Sequence, residues 1–84
     1  MGKWYIDKIK AAAPELLDGN TADVLGWIDN AFAMYAEDED AAAATDDAIR
    51  EQEEYYGVEL DNMSRAQLLT VAAKIMDVVE GAKC

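Results

Sequence analysis

Nine carboxylates crowd the eighteen residues 37–54: Glu37, Asp38, Glu39, Asp40, Asp46, Asp47, Glu51, Glu53 and Glu54. Side chains of this type can catalyse acid–base steps, hold a metal ion or act together as a field. Acid–base work needs a pair set apart by its surroundings, and nothing marks one pair among the eighteen acids of the chain. Nucleophilic catalysis needs an activated nucleophile beside a base. The chain has no histidine, its only serine is Ser64 and its only thiol is Cys84, the terminal residue. No triad can be built from these, so the chain is not expected to be an enzyme, and no cofactor is expected. A calcium loop needs alternating oxygen ligands, a glycine at its sixth position and a glutamate at its twelfth. Counted from Asp38, the sixth position is Ala43 and the alternation fails. No dedicated metal site is expected.

What remains is the field. Fifteen of the eighteen carboxylates lie between Glu15 and Asp61, where Arg50 is the one base, so this stretch carries 1 − 15 = −14. The flanking segments are slightly basic, and the whole chain carries −11. Such a block repels itself and weakens the compact state. Acidic faces also promote solubility, but a merely soluble face would mix both signs. Asp47 and Glu51, like charges four apart, cost about 0.2–0.5 kcal/mol on an isolated helix. A partner with a basic surface is therefore expected, and direct nucleic-acid binding is not, because phosphate repels this surface.

These charges need elements to hold them. The 84 residues are 52% apolar, too apolar for a disordered acidic tail, and set the expectation of one domain with a small core. No apolar run has signal-peptide or membrane-span length, and a lone cysteine makes no intrachain disulfide. The expected place is the cytoplasm, that of a bacterial host if the chain is phage-encoded.

Four helical segments and no strand are expected, an all-α bundle of three to four helices. The first starts near Lys3 with Tyr5, Ile6, Ile9, Ala12, Ala13 and Leu16 on one face. Pro14 either kinks it or opens a short new turn. After the turn at Asp18-Gly19-Asn20, Asn20 and Asp23 imitate a capping box. The second helix, about Thr21 to Ala36, has the stripe Val24, Leu25, Ile28, Ala31, Phe32 and Tyr35, flanked by Trp27 and Met34. A break is expected at Glu37 to Asp40, where four acids would crowd a helix C-terminus but suit the next N-terminus. The third helix, about Ala41 to Tyr56, has a thin inward stripe of Ala42, Thr45, Ile49, Gln52 and Tyr56, and Gly57 as a left-handed cap. The fourth opens with Ser64 as N-cap, Gln67 completing a capping box and Met63 and Leu68 as a hydrophobic staple. Its broad face of Leu68, Leu69, Ala72, Ile75, Met76 and Val79, flanked by Val71 and Val78, suits the centre of a bundle, and Gly81 is expected to close it.

Trp4 points away from the first stripe and Tyr55 sits at the edge of the third helix, so both are candidate contacts. Trp27 and Met34 are read as core or as a patch for a partner.

Three resemblances add to this. The length, acidity and helicity resemble phage-encoded inhibitors that imitate nucleic acid, including anti-restriction and anti-CRISPR proteins. That likeness implies a basic groove on a nuclease or surveillance complex as partner. Tyr55-Tyr56 followed by Ser64 opening the last helix is similar to the small acidic immunity proteins that neutralise DNase toxins. It implies Tyr55, Tyr56, Glu51 and Glu54 at an interface, although Gly57 stands where that family usually has proline and its acidic-aromatic first helix is absent. The run Glu53 to Leu60, then Leu69-Thr70-Val71, resembles the second half of an acyl carrier protein. Where that family opens its long helix with Asp-Ser-Leu, this chain has Ala41-Ala42-Ala43, so no prosthetic arm can be attached.

The expected function is to occupy and block a basic nucleic-acid-binding surface of another protein, with the nine carboxylates supplying the field and Trp4 or Tyr55 adding grip. The alternatives are an immunity-type inhibitor of a nuclease toxin and a homodimerising helical module joined through Trp27 and Met34. Reversing Asp46, Asp47, Glu51 and Glu54 to lysine separates a charged contact from an apolar one.

Overall fold

The structure, a computed structural model, describes residues 4–83, the side chains of 81–83 excepted. Four helices follow one another: α1 (Trp4–Ala12), α2 (Thr21–Met34), α3 (Glu39–Tyr56) and α4 (Arg65–Lys83). Short 3-10 turns cover Pro14–Leu17 and Leu60–Asn62. Among the described residues there is no strand, and no helix is long and apolar enough to cross a membrane. The expected start at Lys3 and the terminal Cys84 lie outside the described residues.

The last helix organises the rest. Leu68, Leu69, Val71, Ala72, Ala73, Ile75, Met76 and Val79 are all buried, an arc wide enough to serve several neighbours at once. α4 accordingly packs against α1, α2 and α3, most extensively against α3, while α2 touches α3 only slightly. Ile9 from α1, Leu16 from the first 3-10 turn and Val24 and Ile28 from α2 complete one hydrophobic cluster. α3 joins through small or polar buried residues, Ala41, Thr45, Ala48 and Gln52, with Ile49 and Tyr56 packed partly buried against the cluster. The Thr45 hydroxyl donates to the carbonyl of Ala41 at 2.8 Å, which satisfies a group that would be costly to bury unpaired.

The caps expected from short spacings form as pairs. Asn20 Oδ1 accepts from the Asp23 amide at 2.9 Å while Asp23 accepts from the Asn20 amide at 3.0 Å. The Ser64 amide donates to Gln67 Oε1 at 2.9 Å, and the Gln67 amide returns to Ser64 Oγ at 3.3 Å. Met63 and Leu68 are both buried beneath that cap. Pro14 opens the 3-10 turn rather than kinking α1.

Four expectations are corrected. Phe32 is 39% exposed: α2 is covered mainly by α4, and a single neighbour covers a narrower arc than a six-residue stripe. Ala12 is exposed because α1 ends there, and Ala13 and Leu16 turn inward from a different local geometry. α3 begins two residues earlier than expected, at Glu39, because Asp38 caps it. Gly81 does not close α4, which runs to Lys83; a helical glycine costs only about 1 kcal/mol relative to alanine and does not by itself stop a helix.

Gly57 does close its helix, with φ 70° and ψ 25° and its amide donating to the Glu53 carbonyl at 2.8 Å. A β-carbon there would meet nothing within 4 Å, so the objection to any other residue is the backbone conformation alone. Gly57→Ala is expected to cost about 1–2 kcal/mol, lowering the melting temperature by roughly 4–8 °C per kcal/mol. An unchanged thermal melt would show that the cap is dispensable.

Candidate functional site

The acids of α3 follow from how the helix is tied at both ends. At the start, Asp38 Oδ1 accepts from the amides of Asp40 and Ala41 at 3.1 and 3.2 Å. Glu39 and Asp40 then occupy the first turn, where the helix dipole favours negative charge. At the far end Glu53 holds the exit loop twice. Its carbonyl takes the Gly57 amide, and its carboxylate accepts from the Leu60 amide at 2.9 Å. With Ala41, Thr45, Ala48 and Gln52 turned inward, the acids fall on the opposite side.

Not all nine candidate carboxylates have the same freedom. Asp38 and Glu53 are bound to backbone amides. Asp46 pairs with Arg50 at 3.1 Å, one helical turn on. Glu51 lies 3.8 Å from Lys74 of α4, a long separation for an ion pair. Glu37, Glu39, Asp40, Asp47 and Glu54 are all exposed, and none of them makes an ion pair or side-chain hydrogen bond among the described residues. The outward carboxylates diverge, and among the described residues no three acids converge as metal ligands would.

The charge density of this helix can be set on a scale. α3 carries seven carboxylates against Arg50, a net −6. From Glu39 to Glu54 it rises about 22 Å at 1.5 Å per residue. That is one net charge per roughly 3.7 Å, against about 3.4 Å per charge along one strand of duplex DNA.

Beside this row lies an aromatic groove of about 400 Å³ where α1 and α3 lie over α4. Trp4 and Tyr5 come from α1, Tyr55 and Tyr56 from α3, and Thr70 and Lys74 from α4. Glu51 belongs to both features. Trp4 is 46% and Tyr55 78% exposed, whereas Tyr56 is partly buried against the core. The Tyr55 and Tyr56 rings meet edge to face at 5.1 Å, and those of Trp4 and Tyr5 at 6.4 Å. The structure separates the pair Trp27 and Met34: Trp27 packs on the core and Met34 is 71% exposed.

Two further basic groups, Lys8 and Arg65, are engaged away from α3. Lys8 of α1 reaches Glu80 at 3.0 Å and Asp77 at 3.1 Å on α4. Those hydrogen bonds, Glu80 first, raise its pKa above the ordinary lysine value against the opposing pull of desolvation. Arg65, at the first position of α4, was given no role by the sequence. Its guanidinium donates to the carbonyls of Leu16, Leu17 and Gly19, clamping the chain between α1 and α2.

No family model matches this chain, and no curated protein or solved structure matches it.

Proposed function

We propose that the protein binds a basic nucleic-acid-binding surface on another protein and blocks it by competition, in the manner of phage-encoded inhibitors that imitate nucleic acid. The observation that carries this reading is the charge spacing of α3, close to that of one nucleic-acid strand and held on a capped, one-sided helix. Glu37, Glu39, Asp40, Asp47, Glu51 and Glu54 make the contacts. Asp38, Asp46 and Glu53 add to the field while their oxygens hold the helix and its neighbours. Long-range attraction speeds encounter and sets selectivity, and it is screened beyond about 8 Å at physiological salt. An effector nuclease and a nuclease toxin both fit this description of the partner.

Capture from a bacterial lysate tests the reading. At low salt the immobilised protein should retain nucleic-acid-binding proteins, and both added duplex DNA and about 0.5 M salt should release them, since such salt shortens the screening length to a few ångströms. Retention indifferent to both would count against a charged contact.

A second reading has one observation in its favour: Met34, 71% exposed at the last position of α2, leaves an apolar edge uncovered. A homodimer through that edge is expected to dissociate on Met34→Glu, as read by sedimentation. Without Trp27 the edge is smaller than the patch first envisaged.

A further inference from the structure

We propose that the groove between α1 and α3 receives an arginine side chain of the partner, stacked between Trp4 and Tyr55 and paired with Glu51. This rests on the reading of α3 as the contact face and names the group that makes the short-range contact.

The choice of occupant follows from charge and shape. An anion entering the groove would approach a helix of net −6. A purely apolar side chain would strip water from the loose Glu51–Lys74 pair, 3.8 Å apart, without giving Glu51 a closer partner, and burying a poorly paired charge is costly. A cation meets both demands, because the faces of Trp and Tyr rings are electron-rich and attract it. Between the two cations, guanidinium is planar, weakly hydrated and able to stack while forking to a carboxylate, whereas ammonium is a compact, strongly hydrated point charge. Glu51 is accessible to it: its side chain is 64% exposed and its present partner, Lys74, stands 3.8 Å away. Lys74 is thus a competitor for the same carboxylate rather than part of the receptor.

The probes are fluorescently labelled octa-arginine and octa-lysine peptides, titrated at low salt and followed by anisotropy. Wild-type protein should bind octa-arginine about fivefold more tightly than octa-lysine, since both cations are drawn to the ring faces but only guanidinium stacks on them while forking to a carboxylate. Arginine also pairs better with plain carboxylates, so the decisive arm is the double variant Trp4→Ala/Tyr55→Ala. There both peptides should lose affinity, octa-arginine the more, so that the preference shrinks by at least about twofold. Tyr55→Ala alone, at a site 78% exposed, should remove part of the preference with an unchanged circular dichroism spectrum. Lys74→Met should tighten octa-arginine binding about two- to threefold by removing the rival cation. Equal wild-type affinities, or a preference undiminished in the double variant, overturn the groove while leaving the acidic face in place. If neither peptide binds at low salt, the acidic-face reading falls as well.

Discussion

Arg65→Ala is expected to lower the stability of the fold by about 2–3 kcal/mol, the scale of hydrogen bonds from a charged donor together with the carbonyls left without a partner. For a chain this size that is a large share, since total stability runs near 0.05–0.15 kcal/mol per residue. The melting temperature should fall by roughly 10–20 °C, at about 4–8 °C per kcal/mol. The position makes the expectation sharp. A base at the first residue of a helix is opposed by the dipole, at a cost of about 0.3–1 kcal/mol. Removing the charge would by itself stabilise α4, so any net loss must come from the clamp on Leu16, Leu17 and Gly19. Arg65→Lys should recover less than half of the loss, because an ammonium cannot span carbonyls that a fork reaches from separate nitrogens. A denaturant midpoint for Arg65→Ala within experimental error of wild type would show the clamp to be idle.

The double variant Asp47→Lys/Glu54→Lys is expected to move binding and stability in opposite directions. Both residues are exposed and without partners among the described residues. Close charge pairs across an interface couple by about 1.5 kcal/mol or more each, so losing two should weaken partner binding at low salt by on the order of a hundredfold. The helix itself should gain. The repulsions of Glu51 with residues 47 and 54 become attractions, while Arg50 comes to repel both residues, so these changes of about 0.2–0.5 kcal/mol each roughly cancel. A base near the C-terminus of α3 adds about 0.3–1 kcal/mol, and net charge falls from −11 to −7, since each of two replacements adds two. The balance is a rise of about 0.3–1 kcal/mol, or a few degrees in the melt. Weaker binding together with a higher melting temperature would show that the acids are kept at the expense of the fold. Unchanged binding would remove the reason for keeping them.

The helices and their caps were legible in the sequence because they depend on spacings of three and four residues. Asn20 with Asp23, Ser64 with Gln67, and Gly57 after Tyr56 are local decisions that tertiary contacts did not alter. The breadth of the α4 stripe likewise announced a central helix. Phe32 was misjudged because periodicity assigns a face but not the width of its cover, which depends on how many neighbours a helix has. The division of labour among the carboxylates was hidden for a related reason. Glu53 reaches an amide seven residues on, and Glu51 meets a lysine of another helix; neither distance is written in one element. Arg65 did leave a trace, a base directly behind a helix N-cap, where the dipole gives it no welcome. The groove of Trp4 and Tyr55 needed the packing of α1 and α3 around α4, although both residues had been picked out singly.

Because α4 is the hub on which α1, α2 and α3 all rest, these segments have little to settle against until it leaves the ribosome. The nascent acidic stretch therefore emerges as a loose, strongly charged polymer, and assembly happens as one late event rather than helix by helix. A ribosome stalled before Arg65 should hold a protease-sensitive chain, whatever the strength of the earlier caps.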